Sequence, residues 1–328
     1  MCSKKEIFLR DNIPRTLNIN QDKFNEKFEI LESINFDKIK KNKSKQNLQM
    51  KKILKEKRER KNKNELIIST KLENKNKINC YMNFGIKNGI DCTSMEYTKY
   101  GNLIEFKEYF KINNLSEAML CFLSSQILNE LKYLNICKIV HMDIKPQNII
   151  IDECLNVKLI DFSVSTNYSK YNYKEIKFPF EGTNMFMAPE IILKKIIKVK
   201  DLNKVDLYSL GVLLYYLAFG YYPYKIKFED SKDKIEIIEN ENIGINKKGF
   251  SSLFINFLKN LLEKNIEKRI NIYEALDHFW IKGAKILLDE KEKLDNSEKF
   301  IFVLNNSLIK KFNDYIKNYL IKIFFIIQ

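Results

Sequence analysis

The chain has 328 residues, of which 45% are hydrophobic and 30% are charged. This composition is close to ordinary globular usage and excludes both a wholly disordered chain and a membrane-helix bundle. The formal net charge of +15 invites an anionic partner, but only five of the 57 basic residues are arginine. Because codon bias also produces a Lys-, Asn- and Ile-rich chain, we keep a basic nucleic-acid-binding protein only as a third hypothesis and expect no nucleic acid partner.

Cysteine and histidine usage narrows the setting and the chemistry. The six cysteines form no C-x-x-C pair and no secretory signal precedes them, which predicts a reducing, intracellular location in the cytoplasm or nucleus. The chain has only two imidazoles, His141 and His278, which excludes His-rich zinc sites. No apolar run is long enough for a bilayer span, so we expect no transmembrane segment.

The N-terminal third reads as strands with one helix. Residues 1–27 are polar and are predicted to be an N-terminal extension. Residues 28–34 alternate like a half-buried strand, and 48–54 resemble a second strand. The apolar positions of 55–72 follow a helical period, and 78–97 resemble further strands.

The rest of the chain is predicted to be mainly helical. An amphipathic helix runs to Cys137 from Ser116, which is a good N-cap residue. Strand-rich sequence is expected to end near Asp161. Further helices are predicted at 206–219, which is apolar on every side, and at 251–263 and 271–280.

Three motifs follow one another in the middle of the chain. They are His141-Met142-Asp143-Ile144-Lys145-Pro146-Gln147-Asn148, Asp161-Phe162-Ser163 and Ala188-Pro189-Glu190. Singly, Asp143 and Asn148 could merely cap turns and Asp161 could merely end a strand. In this order and spacing, the motifs resemble the catalytic loop, the metal-binding triplet and the end of the activation segment of eukaryotic protein kinases.

That resemblance implies roles for four residues. Asp143 would accept or orient the proton of the substrate hydroxyl, and Lys145 would lie beside the transferred phosphate of ATP. Asn148 and Asp161 would hold Mg²⁺, which prefers oxygen ligands alongside phosphate. A lysine two residues after the aspartate resembles the serine/threonine branch of the family.

The resemblance also implies nucleotide-binding residues in the N-terminal part. Lys51 looks like the strand lysine that grips the phosphates, and Glu65 like the helix glutamate that orients it. The alternative is that Lys51 is one of several solvated lysines in this region. Glu96 and Tyr97, at the expected hinge, and Ile150 are assigned to nucleotide binding.

Two departures from the family pattern bear on activity. All nine glycines lie at or after Gly85, so the glycine-rich phosphate-covering loop is missing in its usual form near Asp37. Met142 stands where the family has an arginine that pairs with a phosphorylated activation loop. Because a thioether cannot bind a phosphate dianion, we expect activity without phosphorylation of that loop.

The C-terminal half carries further resemblances of an architectural kind. Asp206 looks like the family aspartate that holds the backbone of the catalytic loop. Arg269 lies where the family pairs an arginine with Glu190 of Ala188-Pro189-Glu190.

The last 48 residues form a tail of their own. Residues 306–327 read as a basic amphipathic helix, with Phe312 and Phe325 spaced like two anchors of a calmodulin target. The tail and residues 182–190 loosely resemble calcium/calmodulin-dependent protein kinase kinases. The alternative is that the apolar face simply packs on the large lobe.

Together these observations predict an α+β, two-lobed protein-kinase-like fold, with a small antiparallel β-sheet lobe and a larger, mainly helical lobe. The kinase-like domain is predicted at 28–280, divided into 28–97 and 98–280, with the tail at 281–328. The expected function is transfer of the ATP γ-phosphate to a serine or threonine of a protein substrate. The alternative is a pseudokinase scaffold with impaired nucleotide binding, because function must be argued from the site.

Overall fold

The chain forms two compact units, residues 1–97 and residues 98–328. The computed structural model describes Ile7, Phe8, Ile68 and Leu72, together with residues 81–87, 90–95, 98–112, 115–170, 175–177, 184–228, 235–239, 249–294, 297–304 and 309–327.

The first unit contains an antiparallel sheet whose strand order is β1-β3-β2. Its strands are β1 (Ile7–Phe8), β2 (Tyr81–Lys87) and β3 (Ile90–Met95). The last two confirm the strands predicted within 78–97. Ile68 and Leu72 are helical and buried, one turn apart, as the predicted helix requires. The strands predicted at 28–34 and 48–54 lie outside the described residues.

Helix α2 is the centre of the second unit. Helix α1 (Leu103–Tyr109) begins at Asn102 with a capping box, and α2 (Glu117–Ile136) begins at Ser116, whose hydroxyl accepts from the Met119 amide. The N-cap predicted for α2 is thus confirmed. This helix packs against α4 (Asn203–Phe219) and α6 (Ile272–Asp277).

Helix α4 is buried along almost its whole length, which confirms the prediction from its unbroken apolar run. It begins three residues earlier than expected and ends at Gly220, whose φ of +81° suits a residue without a side chain. Within it, Gly211 allows a close approach to the end of α5 (Ser252–Leu261). A Cβ at Gly211 would lie 2.9 Å from the Leu261 Cβ.

The expectation that strands end near Asp161 was wrong. Strands continue beyond it in the short antiparallel pairs of β4 with β7, β8 with β9 and β10 with β11, whereas the paired strands β5 and β6 both lie before it. The strands are β4 (Ile139–Val140), β5 (Ile149–Ile151), β6 (Val157–Leu159), β7 (Thr166–Asn167), β8 (Glu175–Lys177), β9 (Ile196–Lys198), β10 (Tyr224–Phe228) and β11 (Ile235–Glu239). Strands β7, β8 and β9 have two or three residues and are too short to produce a visible alternation of apolar and polar residues, whereas β10 and β11 have five residues each and were overlooked.

The helix predicted at 271–280 is interrupted at His278, where the backbone is extended. The His278 ring accepts a hydrogen bond from the Trp280 amide and so caps the next helix. The remaining helices are α3 (Pro189–Ile192), α7 (Phe279–Lys282), α8 (Ala284–Glu292), α9 (Ser297–Val303) and α10 (Ile309–Ile327). None of the helices within the described part of the chain could cross a membrane.

The start of α10 packs against other residues of the second unit, to which it belongs. Phe312 and Ile316 are buried, and a Cβ at Gly283 would lie 2.8 Å from the Phe312 ring. Tyr315 donates to the Phe279 carbonyl, and Lys311 forms an ion pair with Glu290. The packing alternative for the tail is therefore confirmed at Phe312 and Ile316.

Candidate active site

The backbone of the catalytic loop, residues 141–148, is held by a buried carboxylate from α4. The amides of His141 and Met142 donate to the two Asp206 carboxylate oxygens at 2.7 and 2.8 Å. Burial raises the pKa of Asp206, while these hydrogen bonds and His141 oppose the shift. Met142 has a φ of +70°, a strained conformation for a methionine that the hydrogen bond to Asp206 helps to maintain. The predicted role of Asp206 is confirmed.

The His141 ring joins residues 141–148 to the Asp161-Phe162-Ser163 triplet. Its Nε2 lies 3.0 Å from the Ile160 carbonyl, which can only accept, so Nε2 carries the proton. Its Nδ1 accepts from the Asp143 amide, and its ring packs 5.0 Å from the buried Phe162 ring. The Ser165 hydroxyl donates to the His141 carbonyl at 2.9 Å. No sequence pattern pointed to these contacts of the His141 ring or of Ser165.

Asp143, Lys145 and Asn148 form one cluster. The Lys145 ammonium lies 2.6 Å from Asp143 Oδ2, and Asn148 Nδ2 donates to the same carboxylate oxygen at 2.9 Å. Asn148 Nδ2 also donates to the Asp143 carbonyl, so it braces the loop as well as the carboxylate. Asp143 is 7% exposed and Lys145 is partly exposed. Of the three residues singled out within this loop, Lys145 and Asn148 therefore both contact Asp143 directly.

Asp161 lies close to Asn148 because strands β5 and β6 pair. The Ile160 amide donates to the Asn148 carbonyl at 3.0 Å, which brings the residue before Asp161 against the loop. Asp161 has a φ of +69°, and its Oδ1 accepts from both the amide and the hydroxyl of Ser163. Ser163, which stands at the family's glycine position, thus orients the carboxylate.

These residues suit the magnesium ion that the resemblance implies. With Nδ2 of Asn148 engaged by Asp143, the amide turns its oxygen to the other side, and Asp161 supplies a carboxylate. The described part of the chain contains no group of three or more His, Cys, Asp or Glu that could hold a metal. One carboxylate and one amide oxygen fit Mg²⁺, which usually completes its coordination with waters and substrate phosphates.

Most of the predicted nucleotide-binding residues cannot be compared with the structure. Lys51, Glu65, Glu96 and Tyr97 lie outside the described residues. Ile150 is described: it is 6% exposed and pairs with Lys158 across β5 and β6. The nucleotide-binding roles of all five residues stay predictions.

A buried ion pair joins α3 to the loop before α6. Arg269 donates to both carboxylate oxygens of Glu190 at 2.7 and 2.9 Å, and both side chains are almost fully buried. The guanidinium also donates to the Glu263 and Lys204 carbonyls and lies 4.7 Å from the Tyr208 ring centre. These contacts engage the Nε, Nη1 and Nη2 donors of the guanidinium. The predicted pairing of Arg269 with Glu190 is confirmed.

The protein kinase domain family model matches residues 35–281, well over half of the chain. The chain therefore belongs to the protein kinase family and has its two-lobed α+β fold. The position of the matched region agrees with the catalytic loop, the Asp161 triplet and the Arg269–Glu190 pair described above.

Among individual proteins, the chain is similar to serine/threonine kinases. Serine/threonine-protein kinase dkf-2 of Caenorhabditis briggsae is 30% identical over 193 residues, covering 58% of this chain and 15% of the relative. Serine/threonine-protein kinase pakE of Dictyostelium discoideum is 33% identical over 181 residues, covering 53% and 18%. Serine/threonine-protein kinase D2 of Rattus norvegicus is 28% identical over 197 residues, covering 59% and 22%.

The chain spans less than a quarter of the length of these three relatives. All three relatives are named as serine/threonine-protein kinases. The looser resemblance to calcium/calmodulin-dependent protein kinase kinases is not tested by them and stays a prediction.

Proposed function

We propose that this chain transfers the γ-phosphate of ATP to a serine or threonine hydroxyl of a protein substrate. The observation that carries the proposal is the cluster in which Asp143 contacts both Lys145 and Asn148, with Asp161 on the adjoining strand end. Phosphoryl transfer depends mainly on positioning and charge neutralisation, and this cluster brings a carboxylate, an ammonium and two metal-ligand side chains together.

In this proposal each residue of the cluster has one task. The Asp143 carboxylate accepts or orients the proton of the attacking hydroxyl, and Asn148 Nδ2 keeps that carboxylate in place. The Lys145 ammonium, now paired with Asp143, also neutralises charge on the transferred phosphate. Asn148 and Asp161 hold Mg²⁺, which when bound neutralises the nucleotide phosphates.

The pseudokinase alternative rests on the missing glycine-rich loop. The hydrogen bond between Asn148 and Asp143, together with Asp161 next to Ile160, which is bonded to the Asn148 carbonyl, favours the enzyme, since a scaffold has no chemical need for all three residues. The melting temperature with and without Mg-ATP separates the two hypotheses. An enzyme that binds Mg-ATP is stabilised by it, whereas a scaffold that binds no nucleotide is not.

Two isosteric substitutions test the site assignment. We expect Asp143→Asn to lower phosphotransfer to a degenerate serine/threonine peptide library by about 100-fold or more, because the amide cannot accept the proton. We expect Asp161→Asn to raise the Mg²⁺ concentration needed for half-maximal activity. Asp289→Asn, on the exposed side of α8, is the matched control. Unchanged phosphotransfer in Asp143→Asn would refute the assignment.

A calmodulin-like partner of the tail would compete with contacts that the tail makes within the chain. Phe312, one of the two proposed anchors, is fully buried beside Gly283, so a partner must first release it. A calcium-dependent mobility shift of a 303–328 peptide with calmodulin tests the proposal. The same assay on the full chain shows whether the packed helix is available, and no complex with the free peptide at micromolar concentrations removes this partner.

A further inference from the structure

The middle of the activation segment, residues 161–190, is paired to a strand that follows it. Strand β8 lies inside the segment, and β9 lies between α3 and α4. They pair antiparallel, with Ile176 opposite Ile197 and with residues 175 and 177 opposite 198 and 196. We call this pair of strands the β8–β9 ribbon.

The ribbon has an inner and an outer face. Neighbouring residues of a strand point to opposite faces, and directly opposed residues share one face. Ile197 is 1% exposed and Ile176 is half-buried, whereas Ile196 is 65% exposed. Ile176 and Ile197 therefore anchor the ribbon to the rest of the second unit. This anchoring matters because an isolated two-stranded ribbon is only marginally stable in water.

The outer face links the ribbon to the end of the activation segment. Glu175 lies directly opposite Lys198, an arrangement of opposite charges that favours this register. The Lys198 ammonium also contacts Glu267 at 2.5 Å. Glu267 is two residues from Arg269, which binds Glu190 at the end of the segment.

The activation segment is thus held at three described places. Its start is held by the Ser165 hydroxyl and by the pairing of β4 with β7, and its end by the Arg269–Glu190 pair. The ribbon holds the part between them. A phosphorylated residue could not be held by Met142 in the catalytic loop, because a thioether offers no positive charge.

We propose that the β8–β9 ribbon holds the activation segment in the conformation that accepts a protein substrate, without phosphorylation, and that Ile176 is its positioning residue. This inference rests on the proposed kinase activity. It assigns to backbone pairing and one apolar contact the task that a phosphate would otherwise perform.

The test uses the full chain after phosphatase treatment and compares two Ile→Asp variants on opposite faces. Ile176→Asp puts a charge on the inner face, and Ile196→Asp puts the same charge in solvent. Ile176→Val is the conservative variant. For each protein, kcat and KM are measured with a degenerate serine/threonine peptide library and with Mg-ATP. Amide hydrogen exchange is followed at residues 175–177 and 196–198, with α2 and α4 as markers of correct folding.

We expect Ile176→Asp to lower kcat/KM for the peptides about tenfold or more, to leave the KM for Mg-ATP within about twofold, and to abolish exchange protection of the ribbon. Ile196→Asp and Ile176→Val should match the unsubstituted chain. Full peptide activity in a variant that has lost ribbon protection overturns the proposal. So does an unsubstituted chain that becomes active only when the segment is phosphorylated.

Two further outcomes keep the ribbon and the kinase activity distinguishable. If the unsubstituted chain transfers no phosphate whether or not the segment is phosphorylated, the proposed function fails. The proposed role of the ribbon fails separately if amide exchange in the ribbon is equal in the two Ile→Asp variants. If Ile176→Asp also loses protection in α4, Ile176→Gly replaces it. This variant removes the apolar contact and the strand preference without introducing a charge.

Discussion

At its start the activation segment is held by the Ser165 hydroxyl and by the short pairing of β4 with β7, whereas at its end it is held by a buried, bidentate ion pair between Arg269 and Glu190. The contacts at the start belong to the network that contains Asp143, through His141. The contacts at the end join α3 to the loop before α6. A substitution at the start should therefore lower activity more than stability, and a substitution at the end should lower stability more than activity.

The largest effect is expected from removing one member of the ion pair. Arg269→Met leaves the Glu190 carboxylate buried without its partner and should lower the free energy of unfolding by about 3–5 kcal/mol. Urea denaturation measures this change. The double variant Arg269→Met with Glu190→Leu should lose less, because no unpaired charge remains buried. A double variant that is less stable than the single one would contradict this account.

A smaller loss is expected from the carboxylate that holds the catalytic loop. Asp206→Asn keeps one oxygen acceptor but turns an amide group toward the second backbone N–H. We expect a loss of about 1–3 kcal/mol in unfolding free energy, together with a fall in kcat that exceeds the fall seen in Arg269→Met. The matched exposed change is Asp314→Asn. Equal kcat in the Asp206 and Asp314 variants would contradict the expected difference between the start and the end of the activation segment.

The Ser165 hydroxyl supplies a single neutral hydrogen bond in a buried place. Ser165→Ala should cost about 1 kcal/mol of unfolding free energy, since the His141 carbonyl loses its donor. Ser169→Ala, in the same segment but exposed, is the control. The thermal unfolding of the two variants, compared at equal protein concentration, decides the point, and indistinguishable midpoints would contradict it.

The smallest effect is expected at Ser163. Ser163→Gly restores the residue usual in the family and removes the hydroxyl, but it keeps the backbone amide that also donates to Asp161. Unfolding free energy should change by less than about 1 kcal/mol, and phosphotransfer should be retained. Loss of activity in this variant would show that the side chain of Ser163, and not its backbone, orients Asp161.

Local sequence patterns predicted the parts of the fold and site that depend on neighbouring residues. The Ser116 cap and the buried helix α4 are examples, whereas the grouping of Lys145 and Asn148 with Asp143 came from the family resemblance. The ring of His141 was missed because its partner, Ile160, is 19 residues away and contributes only a carbonyl. No side-chain pattern records such a contact. The roles of Asp206 and Arg269 came from family resemblance, not from spacing.

The β8–β9 ribbon was missed for a different reason. Each strand has three residues, too few for a period of two to be recognised, and the partners are about twenty residues apart in the chain. The break at His278 was missed because a capping histidine inside an apolar run resembles any other helical residue. In both cases tertiary contacts decided a structure that local propensity left open.

Trp280 gives the second unit an optical signal of its own. It is the single tryptophan of the chain and is fully buried, with its indole N–H donating to Glu117 and its ring packed on Phe254 and Phe257. Tryptophan fluorescence excited at the red edge of protein absorption therefore reports on residues 98–328 alone. A red shift of this emission therefore marks the loss of packing around Trp280 in the second unit without any added label.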